Sequence, residues 1–411
     1  MHISQNLLIE GWRGINHSYA MVNQYQIREL LKNDDFKIYF KDIPFPTPKW
    51  NKKNNSSGLK DFEEKISKLT QPSNKLKIDI LYRISFPYRM YGGNANKIFV
   101  FGTSEYQKID NMIYQGEELN EKYVNKSIKV ITSSNWSKVG FIKEGFKEND
   151  VIVIPCGVDL KIFKPINKEK KSKIRKKLNI NNDHFVFLNV SAMTWNKGIN
   201  KLLVAFSEIK RKYSFAKLIL KDQSNLYKET AKNYISITKK KFPNLLTDEV
   251  LSNIIVISKN LTLKELSELY GSCDAYVSSY RAEGFNMPPL EAAACGIPTI
   301  LTSGGSTDDY YDPSFVLKIE GTKKTLNDGK NYIEPDLESL ISNMSNLIEK
   351  RNSLLKKNKA ISFIEKNFTL IMELPFKEIK KSNNNGKSSK NLYLNCLKLR
   401  FMKFILLVQC P

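Results

Sequence analysis

Arg281-Ala-Glu-Gly-Phe-Asn-Met-Pro-Pro-Leu-Glu-Ala-Ala-Ala-Cys-Gly-Ile-Pro298 is the stretch that decides how this chain is read. Before it, Cys273-Asp-Ala-Tyr-Val-Ser-Ser-Tyr280 is a short apolar run with β-formers, the pattern of a buried strand. After it, Pro298-Thr-Ile-Leu-Thr302 reads as another strand. A helix between them begins at Pro288 or Pro289, because proline is tolerated only in a helix's first turn. Ala292, Ala293 and Ala294 propagate it, and Gly296 is placed to cap its C-terminus. Glu283 therefore falls on a loop leaving a strand end, and Glu291 in the first turn of the helix that follows.

Open α/β sheets hold ligands in the loops at the carboxyl ends of parallel strands. Helix N-termini attract anions through free amides and the macrodipole. Pro288 and Pro289 carry no N–H, so the donors must be the amides of Gly284 to Met287. Gly284 has no Cβ and lets a ligand approach the backbone. A carboxylate beside a phosphate repels it, so Glu291 is better suited to accept hydrogen bonds from sugar hydroxyls. On spacing alone a plainer reading is equally open, with Glu291 complementing the helix dipole and Glu283 solvated on its loop.

Glu283 and Glu291 at this separation, with Gly284-Phe285 after the first and Ala292-Ala-Ala-Cys-Gly296 after the second, resemble the signature of the large retaining family 4 of GT-B glycosyltransferases. That resemblance implies an α/β fold of two Rossmann-like, doubly wound parallel-sheet domains facing a cleft. It implies that Glu283 approaches the donor sugar and that Glu291 binds the ribose. Gly284, Phe285 and Asn286 would give backbone contacts to sugar and diphosphate.

The remainder of the chain is read outward from this stretch. Asn6-Leu-Leu-Ile-Glu10 is a candidate first strand, followed by a loop with Gly11 and Gly14 and a helical pattern through Leu31. The loop is not G-x-G-x-x-G, so no dinucleotide fingerprint is read from it. The resemblance places such a loop near donor phosphate and acceptor; as turn glycines, Gly11 and Gly14 need no function. Further strands are expected at Leu76–Ser85, Lys97–Gly102 and Ile128–Ser134, with a helix opening at Asn135-Trp136, and Val151–Asp159 closes the first domain. Relatives commonly place a first-domain histidine over the transferred sugar, but here no histidine follows the strand ending near Gly102. His17 and Glu105 are the two side chains left for that position, and a loop histidine is also read as simply solvated.

His184–Ser191 starts the second domain, with Ala192-Met-Thr-Trp-Asn-Lys-Gly198 and an amphipathic helix from Ile199 to Lys212 after it. By the resemblance, Lys197 contacts the donor diphosphate, where a fixed cation stabilises charge that builds as the nucleoside diphosphate departs. The arginine that relatives add nearby is missing, and Lys221, at the end of the next strand, is the candidate second cation. The turn Thr302–Asp308 offers amides to the nucleotide or is a bare turn. The expected domains are 1–160 on the acceptor side, a linker at 161–183, 184–360 for the nucleotide-sugar, a helix at 361–380 returning to the first domain, and a disordered tail at 381–411.

At 411 residues the chain can bury two cores. No apolar run nears the roughly 20 residues a spanning helix needs. The N-terminus has no basic region or cleavage site of a signal peptide, and the odd set of five cysteines has no metal-ligand spacing. Both features point to a reducing, cytoplasmic setting. The net charge of +23 comes from dispersed lysines, without the aromatic-interleaved motifs of RNA-binding modules. Nucleic acid is therefore not the expected partner, and peripheral membrane contact is the rival to plain solvation. The tail Leu392–Val408 mixes apolar residues with Lys398, Arg400 and Lys403, as a membrane or partner anchor or as a frayed end.

The expected activity is sugar transfer from a nucleotide-diphosphate sugar to a hydroxyl of a glycan, lipid or protein acceptor, with retention. No Asp-x-Asp metal motif accompanies the signature, and GT-B enzymes typically use neither metal nor cofactor. Two alternatives follow from the departures: an inactive GT-B scaffold, or an epimerase or phosphorylase acting on a nucleotide sugar.

Overall fold

The computed structural model describes residues 4–32, 34–50, 59–109, 112–113, 128–350 and 357–368. Its first sheet contains β1 (Gln5–Gly11), β2 (Phe36–Asp42), β3 (Ile78–Ile84), β4 (Ala95–Phe101), β5 (Ile128–Thr132) and β6 (Val151–Val153). Its second contains β7 (Phe185–Val190), β8 (Ala216–Lys221), β9 (Ile254–Ile257), β10 (Ala275–Ser278), β11 (Thr299–Thr302) and β12 (Val316–Ile319). The spatial orders are β2-β1-β3-β4-β5-β6 and β12-β11-β10-β7-β8-β9, and the paired strands run parallel. Two Rossmann-like domains facing a cleft are thus the observed architecture.

The strand order sets where a ligand belongs. In the first sheet the winding reverses between β1 and β3, and in the second between β7 and β10. Crevices open outside the carboxyl ends of strands at such reversals. Lys197 lies on the loop leaving β7 and Glu283 on the loop leaving β10, so the reversal brings them together from opposite directions of winding.

Packing explains why the second sheet is apolar on both faces. Val186, Leu188 and Val190 join one buried cluster, with the helices Leu263–Ser272 and Pro288–Ala294. Phe185 and Phe187 join the other, with Ile199–Lys212 and Leu337–Glu349. Successive strand residues point to opposite faces, so a sheet covered by helices on both sides reads as a continuous hydrophobic run. Helix Pro288–Ala294 starts at the expected proline, and Gly296 past its end adopts φ 77°, a left-handed value that favours glycine.

Some elements depart from the sequence reading. An antiparallel hairpin, β13 (Gly321–Thr325) with β14 (Asn331–Pro335), follows β12. Every residue of β13 is exposed, so it lacks the apolar alternation by which a strand is recognised. The last described helix is Lys357–Asn367, whose Ala360 and Ile364 belong to the cluster of the second sheet's helices. The Phe368 carbonyl after it accepts the Val158 amide at 2.7 Å. Residues 51–58, the end of the expected returning helix from 369 to 380 and the expected tail at 381–411 lie outside the described residues. Among the described residues no helix is long and apolar enough to cross a membrane.

Candidate functional site

A cavity of about 390 Å³ opens between the two sheets' carboxyl ends, lined on one side by Ser18, Tyr25 and Glu105 and on the other by Lys197, Glu283 and Glu291. Lys197 sits in a single turn, Trp195–Lys197, closed by Gly198 at φ 65°. A Cβ on Gly198 would lie 1.8 Å from the Ser279 carbonyl oxygen, so space as well as conformation demands glycine there. Asn196 ties this turn to the β10 loop. Its side-chain amide donates to the Ala282 carbonyl at 2.9 Å, and its own carbonyl accepts the Arg281 amide at 2.6 Å. The Arg281 guanidinium donates to the Trp195 carbonyl at 3.0 Å and pairs with Glu334 of the hairpin at 2.7 Å. The Lys197 and Glu283 loops are therefore fixed to each other before any ligand arrives.

Within that frame the Lys197 ammonium stands 2.7 Å from Glu283 Oε1, with both side chains largely buried. Burial alone would pull the lysine's pKa down, but the carboxylates of Glu283 and Glu105 hold it above its ordinary value. Burial pushes Glu283 above the usual carboxylate range, Lys197 opposes that rise, and Glu105 adds to it. Glu105 enters from the loop after β4 and accepts the Asn196 side-chain amide at 3.1 Å. Of the two candidates for the missing histidine's place, Glu105 lines the cavity and His17 does not. His17 caps the helix Ser18–Leu30, its Nδ1 accepting the Tyr19 amide, and burial drops its pKa to about 3.

At the other end Glu291 accepts a hydrogen bond from the Tyr270 hydroxyl at 2.9 Å. Burial raises its pKa to about 7, and the tyrosine bond opposes that only in part. Between the two acids, the amides of Gly284, Phe285, Asn286 and Met287 donate to no described residue. The Gly284 carbonyl is instead occupied, accepting the Ser134 hydroxyl of the first domain at 2.6 Å. A Cβ on Gly284 would come 2.5 Å from Thr103 Cβ, so this glycine is one place where the two domains touch closely. Asn286 holds a left-handed φ of 68°, steadied by its side-chain bond to Ser278 at 3.0 Å.

The cavity thus gathers Glu283, Lys197, Glu291, Gly284, Phe285 and Asn286, but not Lys221, Gly11 or Gly14. Lys221 ends β8, on the side of β7 away from the reversal, and its buried ammonium donates to the Asp222 carbonyl. Gly11 serves packing, since a Cβ there would meet the Ile84 carbonyl oxygen at 2.6 Å. Gly14 turns the chain at φ 79°, its amide bonded to the Gln24 side chain. The turn at 302–308 also stays out of the cavity, folded back where Thr307 bonds the Tyr280 hydroxyl. Asn196, Tyr270 and Tyr25 were not singled out by sequence. Asn196 and Tyr270 act through partners distant in the chain, and Tyr25 lines a cavity shared with the second domain, which no local pattern signals.

Residues 170–351 match the family described as Glycosyl transferases group 1. An N,N'-diacetylbacillosaminyl-diphospho-undecaprenol alpha-1,3-N-acetylgalactosaminyltransferase from Campylobacter jejuni is 29% identical over 196 residues, covering 47% of this chain and 45% of that protein. A mannosylfructose-phosphate synthase from Agrobacterium fabrum is 27% identical over 161 residues, covering 39% and 34%. These matches span less than half of the length of the curated relatives. Among solved structures, a glycosyltransferase from Rickettsia africae superposes with a TM-score of 0.67 at 16% identity, covering 99% of this chain and 98% of that one. An Anabaena protein solved with UDP and glucose gives 0.64 at 14%, covering 89% and 96%. At such identities the two structures speak to the fold, which is GT-B.

Proposed function

We propose that this GT-B chain, whose residues 170–351 match the group 1 glycosyltransferases, is a hexosyltransferase. It moves a sugar from a nucleotide-diphosphate donor to an acceptor hydroxyl, with retention and without a resident metal. The observation that carries the reading is the Lys197–Glu283 pair beside the unoccupied amides of Gly284 to Met287. A departing diphosphate needs donors and a cation fixed where its charge develops, and these groups are already fixed. The Lys197 ammonium takes up charge on the diphosphate. Glu283 accepts hydrogen bonds from hydroxyls of the donor sugar and orients its ring, and Glu291 accepts hydrogen bonds from those of the ribose. Ser134, by gripping the Gly284 carbonyl, keeps the amide-bearing loop facing the cleft.

Among the described residues no group of three His, Cys, Asp or Glu side chains is placed to hold a metal ion. The relatives' names set the acceptors to assay: the Campylobacter jejuni protein is named for an undecaprenol-linked saccharide, and a 26% identical Corynebacterium glutamicum protein for a phosphatidylinositol monomannoside. A lipid-linked acceptor would also give the chain's positive charge a role at an anionic membrane surface.

The test is a screen of UDP-, GDP- and ADP-sugars by thermal shift and by release of the free nucleoside diphosphate, with and without lipid-linked acceptors. A donor at a hundred times its dissociation constant should add about 2.7 kcal/mol of stability. Folded protein that neither shifts nor releases diphosphate with any of them sinks the proposal.

A further inference from the structure

The first domain also faces the nucleotide end of the cavity. Helix Ser18–Leu30 presents Tyr25, which lines the cavity alongside Glu291 and is 9% exposed. Its ring is held rather than free. The Arg28 guanidinium lies 4.8 Å from the ring centroid and is itself anchored to Asp159 at 2.9 Å. On its other sides the ring belongs to the apolar cluster of Leu263, Tyr270 and Leu290. Its hydroxyl, by contrast, is buried and has no hydrogen-bond partner. Buried hydroxyls are nearly always paired, because burying one unpaired forfeits its bonds to water.

The surroundings identify what would pair with it. Near Tyr25 the cavity wall is built from Met21, Val22, Cys156, Phe163, Leu263 and Leu266. Such a wall suits the faces of a flat aromatic ring and offers nothing to a phosphate. Charged groups for phosphate lie instead at Lys197, near Glu283. A nucleoside diphosphate laid with its phosphates there and its ribose at Glu291 carries its base into the apolar part.

Resting on the glycosyl-transfer reading, we infer that the Tyr25 hydroxyl is a specificity-determining contact to the donor's nucleobase, supplied by the first domain. Nucleotide recognition is then shared by both domains. The base is chosen only when the helix Ser18–Leu30 stands against the second domain, as it does here.

Tyr25→Phe tests this, since it deletes one oxygen and keeps the ring. UDP, GDP and ADP are each titrated calorimetrically into the full-length wild-type protein and the variant, and both proteins are melted without ligand. The preferred diphosphate should bind the variant about five-fold more weakly, the effect of one hydrogen bond. The three affinities should draw closer together, and the ligand-free melting temperature should hold or rise because no existing bond is lost. Unchanged affinities and unchanged base preference would overturn the inference alone. A lower ligand-free melting temperature with base preference intact would do the same, by showing that the hydroxyl was already paired. Wild-type protein that binds none of the three would bring down the glycosyl-transfer reading, and this inference with it.

Discussion

Glu283 and Glu291 are eight positions apart in the chain and line one cavity, yet their carboxyls sit in opposite company. Glu283 has an ammonium at 2.7 Å and a second acid, Glu105, adding its field. Glu291 has, among the described residues, one hydrogen bond, from the neutral Tyr270 hydroxyl. A paired buried charge is expensive to break, whereas an under-partnered one waits for a ligand to satisfy it. The charged end is therefore built to hold its geometry, and the Glu291 end to respond to what binds.

Removing the cation from the first end should give the largest effect. Lys197→Ala leaves Glu283 buried beside Glu105 with no positive charge to balance them. Turnover should fall roughly 100- to 1000-fold, the size seen when a fixed transition-state donor is lost. Stability should fall by about 3–5 kcal/mol, the cost of breaking a buried pair by deleting one partner. Adding Glu283→Gln to Lys197→Met should recover much of that stability and none of the turnover, as read by urea unfolding and initial rates. Recovery of both would show that the pair is structural and not part of the chemistry.

The Glu291 end should instead reveal itself through pH. Its folded pKa, about 7, lies above the unfolded value of 4.5. The native state therefore favours the proton, and the stability tied to this group is full below pH 4.5 and lost as pH rises through 7. Glu291 lines the cavity and the residue as a whole is only half-buried, so the loss should be about 1–3 kcal/mol. Ligand binding should run the other way. Ribose hydroxyls donate to the ionised form, so nucleotide affinity should climb as pH rises through 7. Glu291→Gln should flatten both trends and weaken binding by about ten-fold at pH 8, near the upper range for a hydrogen bond to a charged group. Calorimetric titrations at pH 6 and 8 decide it; a wild-type affinity that is level across that interval removes Glu291 from the ribose.

What was legible in the sequence divides along the same line. The strand–loop–helix at 273–298 was readable because proline, alanine and glycine act through local backbone geometry. The same local rules placed the free amides after Glu283. What was not legible depends on partners far along the chain. Asn196 clamps Ala282, Ser134 grips Gly284, and Glu105 leans on the lysine of another domain. Such roles have no periodicity to detect. The exposed strand β13 was hidden for a different reason, since pairing with β14 gives it bonds but no apolar face.

The smallest effect should come from the lysine nominated in place of the missing arginine. Lys221 stands at a strand end in the same sheet as the strand preceding Lys197, so a sequence reading treats the two as parallel cations. Their settings differ in sign. Acids raise the pKa of Lys197 above its ordinary value, whereas burial lowers that of Lys221, with Asp222 opposing only in part. A group whose charge is disfavoured where it stands makes a poor diphosphate clamp, and its ammonium is already spent on the neighbouring carbonyl. Lys221→Met keeps the buried stem's volume and removes the desolvated charge. Turnover should change less than about two-fold, and stability by no more than about 1 kcal/mol, within the range of a volume-conserving swap. A ten-fold loss of turnover with an unchanged urea midpoint would return Lys221 to the diphosphate, and would mean that β8 moves toward the reversal when donor binds.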